Sequence, residues 1–231
     1  MATSAGPPDA ARRRELARLA LDGYLSGPGA PVRATARALA KIDHAVAVVL
    51  VEGISDQIAV ETAAAGRGRD LDAERVVVVP IGGAHAIGRF LTRLGPLHRR
   101  VRLAGLCDLP ELEIVRRGLA DAGVGAVRTR ADLADLGFFG CVDDLEDELI
   151  RAVGVGGVEA VLAAQGDLGS LRTLQGQPAW RHRRPEAQLR RFMGSGSRRK
   201  SRYARLLVEA AVARGTLPPP LDALLTAVDE R

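Results

Sequence analysis

Cysteine is nearly missing from this 231-residue chain: Cys107 and Cys141 are the only two, too few for a disulfide framework or a thiolate zinc site. They read as small apolar residues of the interior. Aromatic residues make up only 3% of the chain, yet 47% is hydrophobic and 26% charged, the balance of a globular protein and not of a disordered or fibrous one. No stretch approaches the roughly 18 to 20 uninterrupted apolar residues of a membrane span. The N-terminus, with Pro7, Pro8, Asp9 and Arg12 to Arg14, has no apolar run after its charges, so no export signal is expected and the location expected is cytoplasmic. Lysine is scarce too. The 33 basic residues are 31 Arg and two Lys, Lys41 and Lys200, as if arginine had replaced lysine wherever it could serve. A surviving lysine then marks a place where a compact ammonium matters.

What is present is a repeated pattern. Ala45 to Val51 is a continuous apolar run, β-branched and without alternation, the signature of a strand buried on both faces. Val76 to Val79 and Val101 to Leu106 repeat it, and Phe138 to Val142 is a weaker fourth. Helix-length segments follow each run, at Asp56 to Ala65, Ala86 to Leu94, Glu111 to Ala122 and Asp144 to Val153. Strand alternating with helix implies an α/β fold with a small parallel sheet of about four strands. Residues 1–44 form a helical leader segment, in which Arg13 to Leu25 has helical spacing and Gly27-Pro28-Gly29 is a break. Residues 45–154 form the α/β domain. Residues 155–231 read as a helical C-terminal lobe, with patterns at Val158 to Gln165, Ala187 to Phe192, Arg199 to Ala213 and Leu221 to Val228.

Ligands of such sheets bind outside the carboxyl ends of the strands. The residues there are Glu52-Gly53-Ile54-Ser55-Asp56, Gly82-Gly83, Asp108-Leu109-Pro110-Glu111 and Asp143-Asp144-Leu145-Glu146, so three of the four clusters carry carboxylates. Crowded carboxylates call for a positive partner. Hard oxygen donors without a His and Cys cluster point to Mg²⁺ or Mn²⁺; His85 and His98 lack ligand spacing. Blander roles stand beside this one: Asp56 and Glu111 can be first-turn helix charges, most of Asp143 to Glu148 a solvated helix start, and Gly82-Gly83 a tight turn.

Charge is divided along the chain. Ala45 to Leu171 holds 13 basic and 19 acidic residues, net −6, whereas Arg172 to Arg205 holds 11 basic and one acidic, Glu186, net +10. The basic stretch has the footprint of a phosphate-backbone binder, with Arg181, Arg183, Arg184, Arg190, Arg191, Arg198, Arg199 and Arg202 as candidate contacts. A solvated surface in an arginine-biased chain is its other reading. Acidic strand ends beside a basic stretch suggest metal-assisted phosphoryl chemistry on nucleic acid. Lys200 lies in a Gly/Ser turn entering a helix, Gly194 to Ala204, where it can meet an anion or a metal site.

Together, Leu50-Val51-Glu52-Gly53-Ile54-Ser55-Asp56, Val77 to Gly83 and Leu106-Cys107-Asp108 resemble the TOPRIM domain in the form found in OLD-family (overcoming lysogenization defect) ATP-dependent endonucleases. Asp144 to Leu149 and Ser197 to Ala204 extend the resemblance, which spans about Val46 to Leu207. It implies a Rossmann-like TOPRIM fold, two Mg²⁺ or Mn²⁺ ions, and cleavage of DNA phosphodiester bonds by a two-metal mechanism. Glu52 and Asp56 would then hold one metal, with Glu52 also handling a proton. Asp108 would hold the second with support from Glu146, Asp144 belongs to the same acidic set, and Lys200 would be catalytic through the charge on the phosphate.

Two departures accompany the resemblance. The family's Asp-x-Asp pair is here Asp108-Leu109-Pro110, which leaves Glu111 as the substitute carboxylate. No G-x-x-x-x-G-K-[ST] loop occurs, so no ATP site is expected and ATP would enter only through a separate ATPase subunit. The alternative to a stand-alone nuclease is a catalytically decayed TOPRIM module that binds nucleic acid or metal beside a partner protein. A phospho-receiver-like domain is a weaker rival, because the basic stretch has no role in one.

Overall fold

The structure is a computed structural model and describes residues 29–95 and 100–229. The helical pattern at Arg13 to Leu25 lies outside the described residues. Four strands, β1 (Ala47–Val51), β2 (Val76–Pro80), β3 (Arg102–Asp108) and β4 (Phe138–Cys141), form a wholly parallel sheet in the order β2-β1-β3-β4. The chain moves from β1 to β2 on one side and returns to β3 on the other. The topological switch point therefore lies between β1 and β3, where an open α/β sheet leaves a crevice at its carboxyl edge.

Every residue of β1 is buried, and successive side chains enter different cores. Ala47, Val49 and Val51 join Val76, Val78, Ala104 and Leu106 on one face. Val48 and Leu50 join Val77, Val79, Cys107 and Phe138 on the other. Two-sided burial explains why these strands are unbroken apolar runs.

The second face is covered by α1 (Ala30–Lys41), α3 (Ile87–Leu94), α4 (Leu112–Asp121) and the short α5 (Arg130–Asp135). The first face carries α2 (Ile54–Gly66), α6 (Leu145–Val153), α7 (Val155–Ala164), α8 (Leu168–Gly176), α9 (Pro185–Met193), α10 (Ser197–Arg214) and α11 (Pro219–Ala227). The helices beyond Gly154 thus share one core with the sheet. The basic stretch Arg172 to Arg205 is folded through α8, α9 and the first half of α10. Helices α5 and α8 go beyond the sequence reading. Helix α5 has only six residues, and its sign is the local capping box in which Asp132 and Thr129 exchange hydrogen bonds. Helix α8 contains Gly169 and ends on Gly176, which blurs its periodicity.

Helix α10 is the long arm of the first face. Its Tyr203, Leu207, Val208 and Ala211 are buried against the small residues Ala59, Ala63 and Ala64 of α2 in the same core. At the crossing, a Cβ added to Gly66 would lie 2.9 Å from both methyl groups of Val212. Close approach of the two helices carries the first turn of α10, with Lys200, to the carboxyl edge of the sheet. Gly66→Ala should lower stability by about 1 to 3 kcal/mol through overpacking. Thermal unfolding would show this, and Val212→Ala in the same chain should restore part of the loss.

Candidate active site

The site starts with the two central strands. Glu52 leaves β1, and its backbone carbonyl accepts the N–H groups of both Gly82 (2.9 Å) and Gly83 (3.0 Å) beyond β2. Gly82 and Gly83 have φ of 85° and 103°, a region costly for side chains with a Cβ, so glycine is what lets both amides turn onto one oxygen. Gly53 begins α2, and its N–H donates to Asp56 Oδ2 at 2.8 Å. That bond fixes the Asp56 carboxylate at the helix entrance.

Asp108 ends β3. Leu109, Pro110 and Glu111 then form one 3₁₀ turn, with proline in the first turn where its missing N–H costs nothing. The turn brings Glu111 to Glu52, on which it acts by charge and by a side-chain hydrogen bond. Buried Glu52 Oε1 and Glu111 Oε2 have no hydrogen-bond partner.

From β4, the chain enters α6 through Asp144, whose Oδ1 caps the helix by accepting the Asp147 N–H at 2.8 Å. Its Oδ2 accepts from Arg190 Nε at 2.6 Å. Glu146 is buried, and Lys200 Nζ stands 3.3 Å from its Oε1. Glu148 is buried as well, but it serves structure: Oε1 accepts the Val142 N–H at 2.8 Å and pairs with Arg151.

The electrostatics record the crowding. Burial, then the charges of Asp108, Glu111 and Asp56, push the Glu52 carboxyl up to about 8. Burial followed by Asp56, Asp144 and Glu146 raises Asp108 to about 7, with Lys200 opposing. Glu146 rises to about 7 by burial, against the pull of Lys200. Burial also raises Asp56, which Lys200 and the Gly53 N–H counteract. For Lys200 burial alone favours loss of the proton, but Glu146, Asp56 and Asp144 outweigh it and the ammonium is held above its ordinary range. Cys107 and Cys141 are buried, and burial drives the Cys107 thiol to about 12, so neither is a nucleophile.

Beside Glu146 and Lys200 opens a cleft of about 640 Å³, lined also by Trp180, Arg183, Arg190 and Arg191. Of the eight candidate arginines, these three reach the cleft. Arg199 stacks over Phe192 at 4.3 Å and bonds Ser195, while Arg202 binds Gln165 and Asp167 and ties α10 to the start of α8. Arg181 donates to His182, and Arg184 caps α9 by position. Arg198 stands in the first turn of α10. The sequence reading passed over Trp180. Its sign was a lone tryptophan next to Arg181, Arg183 and Arg184.

Among the described residues, no three His, Cys, Asp or Glu side chains converge closely enough to hold an ion between them as they stand. The chemistry of the donors nevertheless suits a hard divalent cation. They are all carboxylate oxygens, two are buried without a partner, and their mutual repulsion is what such a cation relieves.

Residues 44–109 match the model of the overcoming lysogenization defect protein-like TOPRIM domain. This segment is an OLD-like TOPRIM domain. The C-terminal region of the Burkholderia pseudomallei OLD protein superposes with a TM-score of 0.55 at 19% identity, covering 80% of this chain and 97% of that one. The corresponding region of the Xanthomonas campestris pv. campestris OLD protein gives 0.54 at 21% identity, with the same two coverages. No curated protein matches the chain. The structural likeness covers more of the chain than the family match, so the TOPRIM sheet and much of its helical surround share one fold with these regions. Among the described residues, no helix is long and apolar enough to cross a membrane.

The raised carboxyls fix a pH dependence for the TOPRIM domain without divalent ions. A carboxyl whose folded pKa lies above its unfolded value binds more protons when folded, so stability is lost as pH rises from the ordinary range near 4.5 through about 8. Thermal unfolding in EDTA should show a falling midpoint across that window. Glu52→Gln should flatten the fall, and added Mg²⁺ or Mn²⁺ should raise the wild-type midpoint most at the alkaline end.

Proposed function

We propose that the chain is a Mg²⁺- or Mn²⁺-dependent nuclease that hydrolyses DNA phosphodiester bonds. The observation that carries this reading is the meeting of Lys200 with Glu146 inside a carboxylate set drawn from three strand ends, at the mouth of an arginine-lined cleft. Glu52 and Asp56 would hold one cation, and Asp108 the second with support from Glu146 and with Glu111 as the substitute carboxylate. Two bound cations supply charge to the attacking and leaving oxygens of an in-line displacement.

The chain's own residues do the rest. Glu52, ionised once a cation offsets the charge of its neighbours, accepts the proton of the attacking water at its carboxylate. Lys200 is a point donor that turns from Glu146 to a non-bridging phosphate oxygen as negative charge builds there. Asp144 caps α6 and holds Arg190, which positions an arginine at the cleft wall for the neighbouring phosphate. Water's oxygen bonds to phosphorus, the bond from phosphorus to the sugar oxygen breaks, and the leaving oxygen is protonated.

A second reading has its own support. Pro110 stands where the family carries a second Asp, and no three ligands converge among the described residues, as a catalytically decayed module that binds nucleic acid or metal beside a partner would show. A separate ATPase subunit is the partner that the OLD architecture suggests.

Supercoiled plasmid decides between the two. A nuclease nicks it with Mn²⁺ or Mg²⁺ and not with EDTA, and Glu52→Gln should cost about 10² or more in rate. DNA bound without cleavage in any divalent ion would select the decayed module. Lys200→Arg should lose cleavage while keeping DNA affinity, since the charge stays and the compact donor is lost; unchanged cleavage removes Lys200 from the chemistry. Glu111→Gln should weaken Mn²⁺ binding, measured by calorimetry, about as much as Asp108→Asn. Neutralising Arg183 and Arg191 together should reduce the salt dependence of DNA binding by about 0.7 to 0.9 in log–log slope per lost contact.

A further inference from the structure

Trp180 is the sole tryptophan of a chain with 3% aromatic residues, and it belongs to neither hydrophobic core. It is half-buried on the wall of the cleft, and the fold holds it there deliberately. The Trp180 carbonyl accepts from Gln188 Nε2 at 2.7 Å, and Gln188, 6% exposed, accepts in turn from Gln175 Nε2 at 2.9 Å. The Trp180 N–H donates to the Gln177 carbonyl, and the Arg183 N–H to the Trp180 carbonyl, closing a turn that leaves the ring at the cleft. Arg191 stands over the ring, 5.9 Å from its centroid. The buried Gln188 amide is hydrogen-bonded through both its oxygen and its nitrogen, so the Trp180 turn is fixed in place while its ring is left beside the cleft.

The cleft has the size of a small-ligand site. Its wall combines one aromatic plane with Arg183, Arg190 and Arg191, and Lys200 and Glu146 line it as well. An aromatic surface beside guanidinium groups suits a base with its own phosphate, because every base has a face to stack and every nucleotide a charge to pair. A base paired and stacked inside a duplex has no free face to offer the ring.

We propose that the cleft takes one unpaired DNA nucleotide, its base stacked on Trp180 and its phosphates on the cleft arginines, so that single-stranded or frayed DNA is the preferred ligand. This rests on the nuclease reading for its substrate but not for its test. The test uses the full chain in EDTA, where metal-dependent cleavage is suppressed, with three probes of equal length: a thymidine oligonucleotide, an abasic oligonucleotide and a duplex. Fluorescence of the single tryptophan reports on Trp180 alone.

The thymidine probe should quench the indole and bind roughly tenfold more tightly than the abasic probe. The duplex should quench little. In anisotropy with labelled probes, Trp180→Ala should close the gap between thymidine and abasic probes, and Trp180→Phe should keep most of it. Equal quenching by the abasic probe or the duplex, or an unchanged gap in Trp180→Ala, would overturn the proposal. Base-dependent binding without cleavage in Mn²⁺ would sink the nuclease reading and leave the nucleotide site standing; cleavage without base-dependent binding would do the reverse.

Discussion

Carboxylates crowded over the ends of β1, β3 and β4 repel one another, and the surrounding elements are arranged about that repulsion. Glu52, Asp56, Asp108 and Glu111 lie around the point where the sheet reverses its direction of growth, between the ends of β1 and β3, and Glu146 acts on them from beyond β4. Protonation answers the repulsion in the absence of a cation, and it raises Glu52, Asp108 and Glu146 toward neutrality. Lys200 answers it from outside the sheet. Its ammonium keeps its proton despite burial because three acids surround it, so the pair with Glu146 is set by the cluster and not by either residue alone.

That lysine is far along the chain from the strands it serves, and packing is what delivers it. Alanines and a glycine on α2 allow α10 to lie close, and the buried Tyr203, Leu207 and Ala211 fix its rotation. Tyr203 also donates its hydroxyl to Asp167 at 2.5 Å, which Arg202 shares, so the start of α10 is tied to the start of α8. The Trp180 turn hangs from the neighbouring α9 through Gln188. Acidic cluster, lysine and cleft wall are therefore tied to one core, and a change in the α2–α10 contact would shift Lys200 as well as lower stability.

The strands were legible because burial on both faces leaves an unbroken apolar run, and the strand-end rule then singled out Glu52 and Asp108 without knowledge of the strand order. Lys200 was legible from the near-absence of lysine. Lys41 had the same signal and proves to be an exposed partner of Asp72, at 2.7 Å, worth at most about 1 kcal/mol. Scarcity marks a residue for inspection and no more. The basic stretch was legible as charge but not as surface: Arg202 and Arg199 are spent on side chains of the fold, whereas Arg183, Arg190 and Arg191 line the cleft, and the turn before α9 together with the rotation of α9 and α10 separates the two groups. Trp180 escaped because an isolated aromatic has no periodicity to read.

Pro110 sets the course of the chain after Asp108. Proline after Leu109 favours a 3₁₀ turn in place of an immediate α-helix, and that turn brings the next side chain, Glu111, inward to Glu52. Glu111 thereby acts on Glu52, across the crevice between β1 and β3. Glu52 is raised to about 8 first by burial, then by Asp108, with Glu111 adding to both.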